Sequence, residues 1–108
     1  MKTAYFVYHD YNRMERQSDG VELCIIPEFH DENIYFYCSE YSMFWRSAED
    51  AGNFDKCCNF NLKNQIRPAT LTEICNAGLC NYVNSLKEYN IENGKLLGIN
   101  YIVINAAG

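Results

Sequence analysis

Six cysteines and two histidines are the side chains of this 108-residue chain with the most obvious chemistry. Thiolates and imidazoles are the usual ligands of zinc, and a thiolate beside an imidazole is a common nucleophile. These residues are Cys24, Cys38, Cys57, Cys58, Cys75, Cys80, His9 and His30. No two cysteines have the C-x-x-C spacing that brings two ligands to one ion. The sequence therefore predicts no metal site and no cofactor.

The cysteines that are closest in sequence are poorly placed to act together. Cys57 and Cys58 are adjacent, and adjacent side chains of a strand point to opposite faces. Cys75 and Cys80 belong to a predicted helix, where their spacing places them about 140° apart around the axis. We therefore expect that Cys75 and Cys80 neither bridge each other nor share a metal.

Motifs of the common enzyme classes are missing from the sequence. It contains no phosphate-binding glycine loop, no G-x-S-x-G pattern and no H-E-x-x-H pattern. A pocket that joins a cysteine to His9 or His30 would have to be assembled from separate elements. We predict that the chain is not an enzyme. A small enzyme or ligand-binding protein with a Cys/His pocket stays open as an alternative.

Charge is distributed unevenly along the chain. Residues 17–55 contain nine acidic side chains, one basic side chain and eight aromatic residues, a local net charge of −8 within a chain of −5. The negative charge disfavours nucleic acids and anionic membranes, whose phosphates attract basic proteins. An acidic run can be a solvated face that only keeps a protein soluble. Acids mixed with rings also suit a surface that binds a basic protein.

Hydrophobic periodicity predicts the elements that position these residues. Strands are predicted at residues 3–9, 21–26, 34–38, 57–62 and 98–104. One helical stripe spans residues 41–48, and a second covers residues 70–86 behind a Thr70–Glu73 capping box. The order β-β-β-α-β-α-β predicts an α+β single domain over residues 1–108, with a mostly antiparallel sheet of about five strands and two helices. The first and last strands are the most apolar, so we expect them to be central and adjacent.

The strands at residues 21–26 and 34–38 are predicted to form a hairpin that carries the recognition surface. Tyr35 and Tyr37 alternate with Phe36, so they share a face with Glu22 on the neighbouring strand. If that face is open, the tyrosine rings stand at the surface beside carboxylates. The predicted partner-binding residues are Glu22, Glu28, Asp31, Glu32, Tyr35, Tyr37 and Glu40.

Together these features predict a small acidic protein that binds and inhibits a basic protein. The expected partner is a nuclease or another nucleic-acid-binding enzyme, as in toxin-immunity pairs and phage inhibitors of CRISPR or restriction systems. The sequence has no recognisable leader or membrane-spanning run, so we expect a cytoplasmic protein with reduced thiols. A third hypothesis is a subunit that assembles with itself, for example as a homodimer, through the tyrosine face.

Overall fold

The computed structural model describes residues 2–10, 20–39 and 41–103, which form one sheet with short helical connections. The strands are β1 (Lys2–Tyr8), β2 (Val21–Ile25), β3 (Tyr35–Cys38), β4 (Met43–Trp45), β5 (Arg67–Pro68), β6 (Ser85–Glu92) and β7 (Lys95–Val103). The helices of the described ranges are α1 (Leu71–Asn76) and three 3-10 helices, Pro27–Phe29, Phe54–Lys56 and Cys80–Tyr82. The predicted mostly antiparallel sheet is confirmed, but it has seven strands, and the two predicted helices are not matched.

The strand order is β4-β3-β2-β1-β6-β7, with β5 paired to β2 off this path. One edge of β2 is shared between two partners, because Val21 and Glu22 pair with β1 while Cys24 and Ile25 pair with β5. The expected central position of the first strand is confirmed, since β1 lies between β2 and β6. The expected central position of the last strand is wrong: β6 separates β7 from β1, and β7 is the outermost strand among the described residues.

The helix predicted over residues 70–86 is much shorter in the structure. Its start is confirmed, because the Thr70 side chain accepts from the Glu73 backbone N–H and the Glu73 carboxylate accepts from the Thr70 backbone N–H. The helix ends at Asn76, and Gly78 follows with a φ of 76°. Residues 85–92 instead form β6, which pairs with β1 on one side and with β7 on the other. Two hydrogen-bonded neighbours outweigh the weak local preference for helix.

The helix predicted over residues 41–48 is replaced by a turn and the short strand β4. Phe44 and Trp45 point to opposite faces of the sheet, and each is buried in a different core. The strand predicted at residues 57–62 is largely irregular, with one isolated bridge between Cys58 and Phe44. The strand forms at β4 in place of the predicted helix because Phe44 and Trp45 pack into different cores, whereas a helix would have placed both rings on one side.

Both faces of the sheet are covered by other parts of the chain. The helix face, defined by Val21, Leu23 and Ile25, packs against residues that include Ile74 and Val83 from the helical region. The cavity face, defined by Glu22, Cys24 and Tyr35, is partly covered by the irregular residues 58–66. Strand alternation therefore divides the apolar residues between two separate cores.

Cys75 and Cys80 form a disulfide across the end of α1, with a Cα–Cα distance of 4.8 Å. The expectation that they cannot bridge is wrong, because it assumed that both residues belong to one continuous helix. The expectation of reduced thiols is wrong for this pair as well. Cys80 lies in the 3-10 helix Cys80–Tyr82, and the turn through Gly78 brings it back to Cys75.

None of the helices in the described ranges has the length and apolarity needed to cross a bilayer.

Replacing Glu73 with alanine should destabilise the fold by about 1–2 kcal/mol, because it removes the capping box and the paired hydrogen bonds from Arg67 at 2.8 and 2.6 Å. The Arg67 hydrogen bonds, aided by the Thr70 backbone N–H, lower the pKa of Glu73 from 4.5 to about 2. Chemical denaturation at several pH values measures the loss, with Glu92→Ala as the exposed control.

The pH dependence of that loss has a defined sign. A folded-state pKa below the unfolded one means that Glu73 stabilises the fold fully above about pH 4.5, and that this contribution disappears as the pH falls toward 2. The difference in stability between the wild type and Glu73→Ala should therefore shrink over that interval. A difference that stays constant down to pH 2 would contradict a role for the charged carboxylate.

Candidate functional site

The cavity face of the sheet contains an open cavity of about 790 Å³. Its floor includes Tyr5, Glu22, Tyr37 and Tyr89 from four neighbouring strands, and residues 59–62 and 65–68 form much of its wall. These four strands lie side by side in the order β3-β2-β1-β6, so their alternating side chains converge on one surface. The cavity thus combines aromatic rings, hydroxyl groups and one carboxylate.

The Glu22 carboxylate is held by an internal network beneath this cavity. Its Oε1 lies 3.5 Å from the Lys87 ammonium and accepts a 2.5 Å hydrogen bond from the Tyr89 hydroxyl. Glu22 and Lys87 are 4% and 3% exposed, so the pair is almost completely withdrawn from water. On β1, Val7 pairs with Glu22 and Tyr5 pairs with Lys87. Val7 and Tyr5 are two residues apart and share a face, so the two charged side chains lie close enough to meet across β1.

The surroundings of Glu22 shift the titration of nearby groups. Burial, reinforced by the negative charge of Glu22, raises the pKa of Tyr5 far above 10. Burial and the hydrogen bond to Glu22 raise the pKa of Tyr89 in the same direction. Burial, with Glu22 again adding to it, raises the pKa of the Cys24 thiol to about 12. A reactive cysteine needs a lowered pKa, so Cys24 is unsuited to the role of nucleophile.

Tyr35 and Tyr37 occupy the same face as Glu22, as predicted, but that face is not open at Tyr35. The register pairs Glu22 with Tyr37 and Cys24 with Tyr35. Tyr35 is 3% exposed because the rings of Phe29 and Phe60 pack edge-on against it. Tyr37 is half-buried, lines the cavity and lies 4.7 Å from the Phe44 ring, centroid to centroid. Two exposed tyrosines were expected on this face. Only Tyr37 is accessible, and it lies in the cavity.

Residues 27–33, here called the acidic turn, connect β2 to β3 by way of the 3-10 helix Pro27–Phe29. The carboxylate of Glu28 accepts hydrogen bonds from the backbone N–H groups of Lys63 and Asn64 at 2.9–3.2 Å. Asp31 accepts from the Asn33 backbone N–H at 3.0 Å and from the Tyr35 hydroxyl at 2.6 Å. These contacts attach the turn to the body of the protein at both ends.

The tip of the acidic turn is exposed and has an unusual backbone. His30, Asp31, Glu32 and Asn33 are all exposed, and His30 and Glu32 have left-handed φ values of 55° and 59°. The hydrogen bond from Tyr35 lowers the pKa of Asp31, so its carboxylate remains charged to a lower pH than usual. The turn therefore presents two adjacent carboxylates on a backbone that its contacts hold in place.

The seven predicted partner-binding residues are thus separated by the fold. Asp31 and Glu32 are exposed together, Glu28 is half-buried against the residue 63–64 backbone, and Tyr37 lies in the cavity. Glu22 is buried, so its expected position on a surface is wrong, and Tyr35 is buried as well. Glu40 lies outside the described residues.

Sequence reasoning missed Lys87 and Tyr89, the partners of Glu22. Both lie in β6, just after the end of the helix that the sequence predicts over residues 70–86, in a part of the chain for which it predicts no element. The alternation of Leu86, Glu88 and Asn90 with Lys87, Tyr89 and Ile91 was a signal for a strand, but a lysine on the inward face argued against burial. The ion pair could not be inferred without knowing that β2 and β6 flank β1.

Within the described ranges, no group of three or more histidine, cysteine, aspartate or glutamate side chains is placed to hold a metal ion. Of the described residues that line the cavity, none is a cysteine or a histidine. Comparison of the chain with models of protein families, with curated proteins and with solved structures finds no match.

Replacing Tyr89 with phenylalanine should lower the free energy of unfolding by about 1.5–3 kcal/mol, because a hydrogen bond to a buried charge is lost while the ring is kept. Tyr82→Phe is the matched control, since Tyr82 is 37% exposed and contacts Tyr8 through its ring. Urea denaturation measures both variants. Equal effects of the two substitutions would show that the hydroxyl of Tyr89 does not support Glu22.

Proposed function

We propose that this chain is a small acidic protein that binds and inhibits a basic, nucleic-acid-processing protein, and that the acidic turn makes the central contact. The observation that carries the proposal is the exposure of Asp31 and Glu32 on a turn that is anchored at both ends. Rigid presentation lowers the entropic cost of binding, because these charges need not be ordered when the partner arrives.

The charge of the chain supports a basic partner. The net charge of −5 attracts basic proteins over a distance of about one Debye length, which speeds encounter. Two adjacent carboxylates provide acceptors for the paired N–H groups of an arginine or for a lysine ammonium. A nuclease uses such side chains to hold phosphates, so the acidic turn would compete directly with nucleic acid for them.

Two biological settings use this competition: toxin-immunity pairs and phage inhibitors of CRISPR or restriction systems. Both targets act on nucleic acid inside cells, so we propose a cytoplasmic location for the chain. Buried Tyr35 is assigned a positioning role, since its hydroxyl fixes the Asp31 carboxylate. Glu22 is omitted from the recognition surface, because its carboxylate already faces Lys87 and Tyr89.

Charge reversal at the acidic turn should weaken partner binding strongly without unfolding the chain. Glu32→Lys replaces an exposed side chain and retains a non-glycine residue at the left-handed position. Asp55→Lys is the control, because Asp55 is also exposed but belongs to the 3-10 helix Phe54–Lys56. The immobilised wild type is used to capture proteins from an extract of the source cell, and the captured protein is purified and titrated with each variant.

We expect the captured protein to be basic and its nucleic-acid-processing activity to be inhibited by the wild type. Glu32→Lys should weaken binding by about 10-fold or more, since a like charge replaces a favourable one at the contact, whereas Asp55→Lys should change it by about two- to threefold through net charge alone. Affinity should also fall as salt is raised. Equal binding by both variants, or binding independent of salt, would contradict the proposal.

The cavity supports a second candidate function, which is the binding of a small ligand. Its volume of about 790 Å³ lies within the range of ligand sites, and rings with a few convergent polar groups line it. Tyr37→Ala distinguishes the two functions, because it removes a cavity ring and leaves the acidic turn in place. If the cavity carries the function, Tyr37→Ala abolishes activity and Glu32→Lys does not.

A further inference from the structure

The outer edge of β7 is the most apolar exposed region of the described residues. Five of the eight large hydrophobic side chains that are exposed belong to this strand. They are Leu96, Leu97, Ile99, Tyr101 and Ile102, which are 38–58% exposed. Lys95 is the only charged residue of the nine-residue strand. An edge of this length and composition is a template for pairing with another strand.

The opposite edge of the sheet is protected, and the contrast between the two edges is informative. At that edge β4 has only three residues, and Phe44 exchanges backbone hydrogen bonds of 2.9 and 2.6 Å with Cys58. By contrast, β6 is the only strand paired with β7 in the described part of the chain. A β-bulge interrupts the β6–β7 register between Gly98 and Leu96, after which the pairing is regular through Val103. Within the described residues, the segment from Gly98 to Val103 contains no proline, no charged residue and no bulge, which are common devices that block an edge.

We propose that a second copy of this chain pairs its β7 antiparallel to β7, so that one sheet continues through a two-fold dimer. An antiparallel two-fold arrangement needs a strand whose pattern is complementary to itself. When Asn100 faces Asn100 of the copy, Ile99 faces Tyr101 in both directions, an apolar pair of the kind that stabilises sheets. The Asn100 amide both donates and accepts hydrogen bonds, so it can pair with its own counterpart.

Charge also favours a second copy at this edge. The chain carries a net charge of −5, so two copies repel each other over most of their surfaces. Residues 96–103 contain no charged side chain, and two such segments can approach without opposing like charges. A single strand pair buries less than the area of a standard stable interface, so association should be weak and concentration-dependent.

This surface differs from the tyrosine face of the self-assembly hypothesis, because Tyr35 is buried and Tyr37 lies in the cavity. The dimer is also independent of the proposed function. The acidic turn connects β2 to β3, and β1 and β6 lie between β2 and the open edge of β7. Failure of either proposal would leave the other unaffected.

Sedimentation velocity of the full chain over a concentration series tests the proposal, with amide hydrogen exchange of the β7 peptide at both ends of the series. Ile99→Lys places a charge in the contact. Asn100→Lys sets two ammonium groups against each other across the dimer contact. Within each chain the new lysine is favourable, because it lies beside Glu88, whose carboxylate accepts a hydrogen bond from Asn100 Nδ2 at 3.4 Å. Leu71→Lys is the control, because Leu71 is also about half exposed but lies on α1.

We expect the wild type and Leu71→Lys to shift from monomer to dimer as concentration rises, with slower exchange in β7. We expect each of the two β7 variants to weaken the dimer about 10-fold or more, as buried like charges do. A wild type that stays monomeric into the millimolar range would overturn the proposal, since even weak specific contacts associate there. A dimer that forms without protection of β7 and resists both variants would overturn it as well.

Discussion

The buried ion pair between Glu22 and Lys87 constrains the rest of the structure. Two charges that are almost fully withdrawn from water must face each other, because an unpaired one costs several kcal/mol. Their positions on β2 and β6 oblige β1 to lie between them in a fixed register. A slip of one residue would move Glu22 to the helix face, among Leu23, Phe36 and the other apolar residues. The pair therefore specifies which face of the central strands is polar.

The same constraint determines which acids can take part in recognition. Glu22 serves the ion pair, Glu28 binds the backbone of residues 63–64, and Glu73 caps α1 and pairs with Arg67. Each of these carboxylates has a defined role inside the chain. Asp31 and Glu32 remain exposed to solvent, on a turn that the Glu28 contacts help to hold in position. The net charge of residues 17–55 is thus a poor measure of the acidic surface. The local geometry of the acidic turn is a better measure.

Features with a local physical cause could be predicted from the sequence. The first three strands and the capping box at Thr70 depend on residues that lie next to each other, and the structure contains them. Two of the errors are the helices predicted over residues 41–48 and 70–86, where apolar residues fit a helical stripe but β4 and the start of β6 form instead. Their strand conformation depends on neighbours far along the chain, and so does the Glu22 network, in which Tyr89 is 67 residues from its acceptor. Non-local pairing of this kind has no signal in a single sequence.

The central claim is that the Glu22–Lys87 ion pair stabilises the interior of the fold and that Glu22 does not bind a partner. A double-mutant cycle between the two residues tests it most directly. Glu22→Gln, Lys87→Met and the double variant are compared with the wild type by urea denaturation. Each single substitution should cost about 3–5 kcal/mol, because the remaining polar group is left poorly satisfied in the interior. The free energy of unfolding of the double variant should be no lower than that of the less stable single variant. Losses that simply add, or single losses below about 1 kcal/mol, would contradict the account.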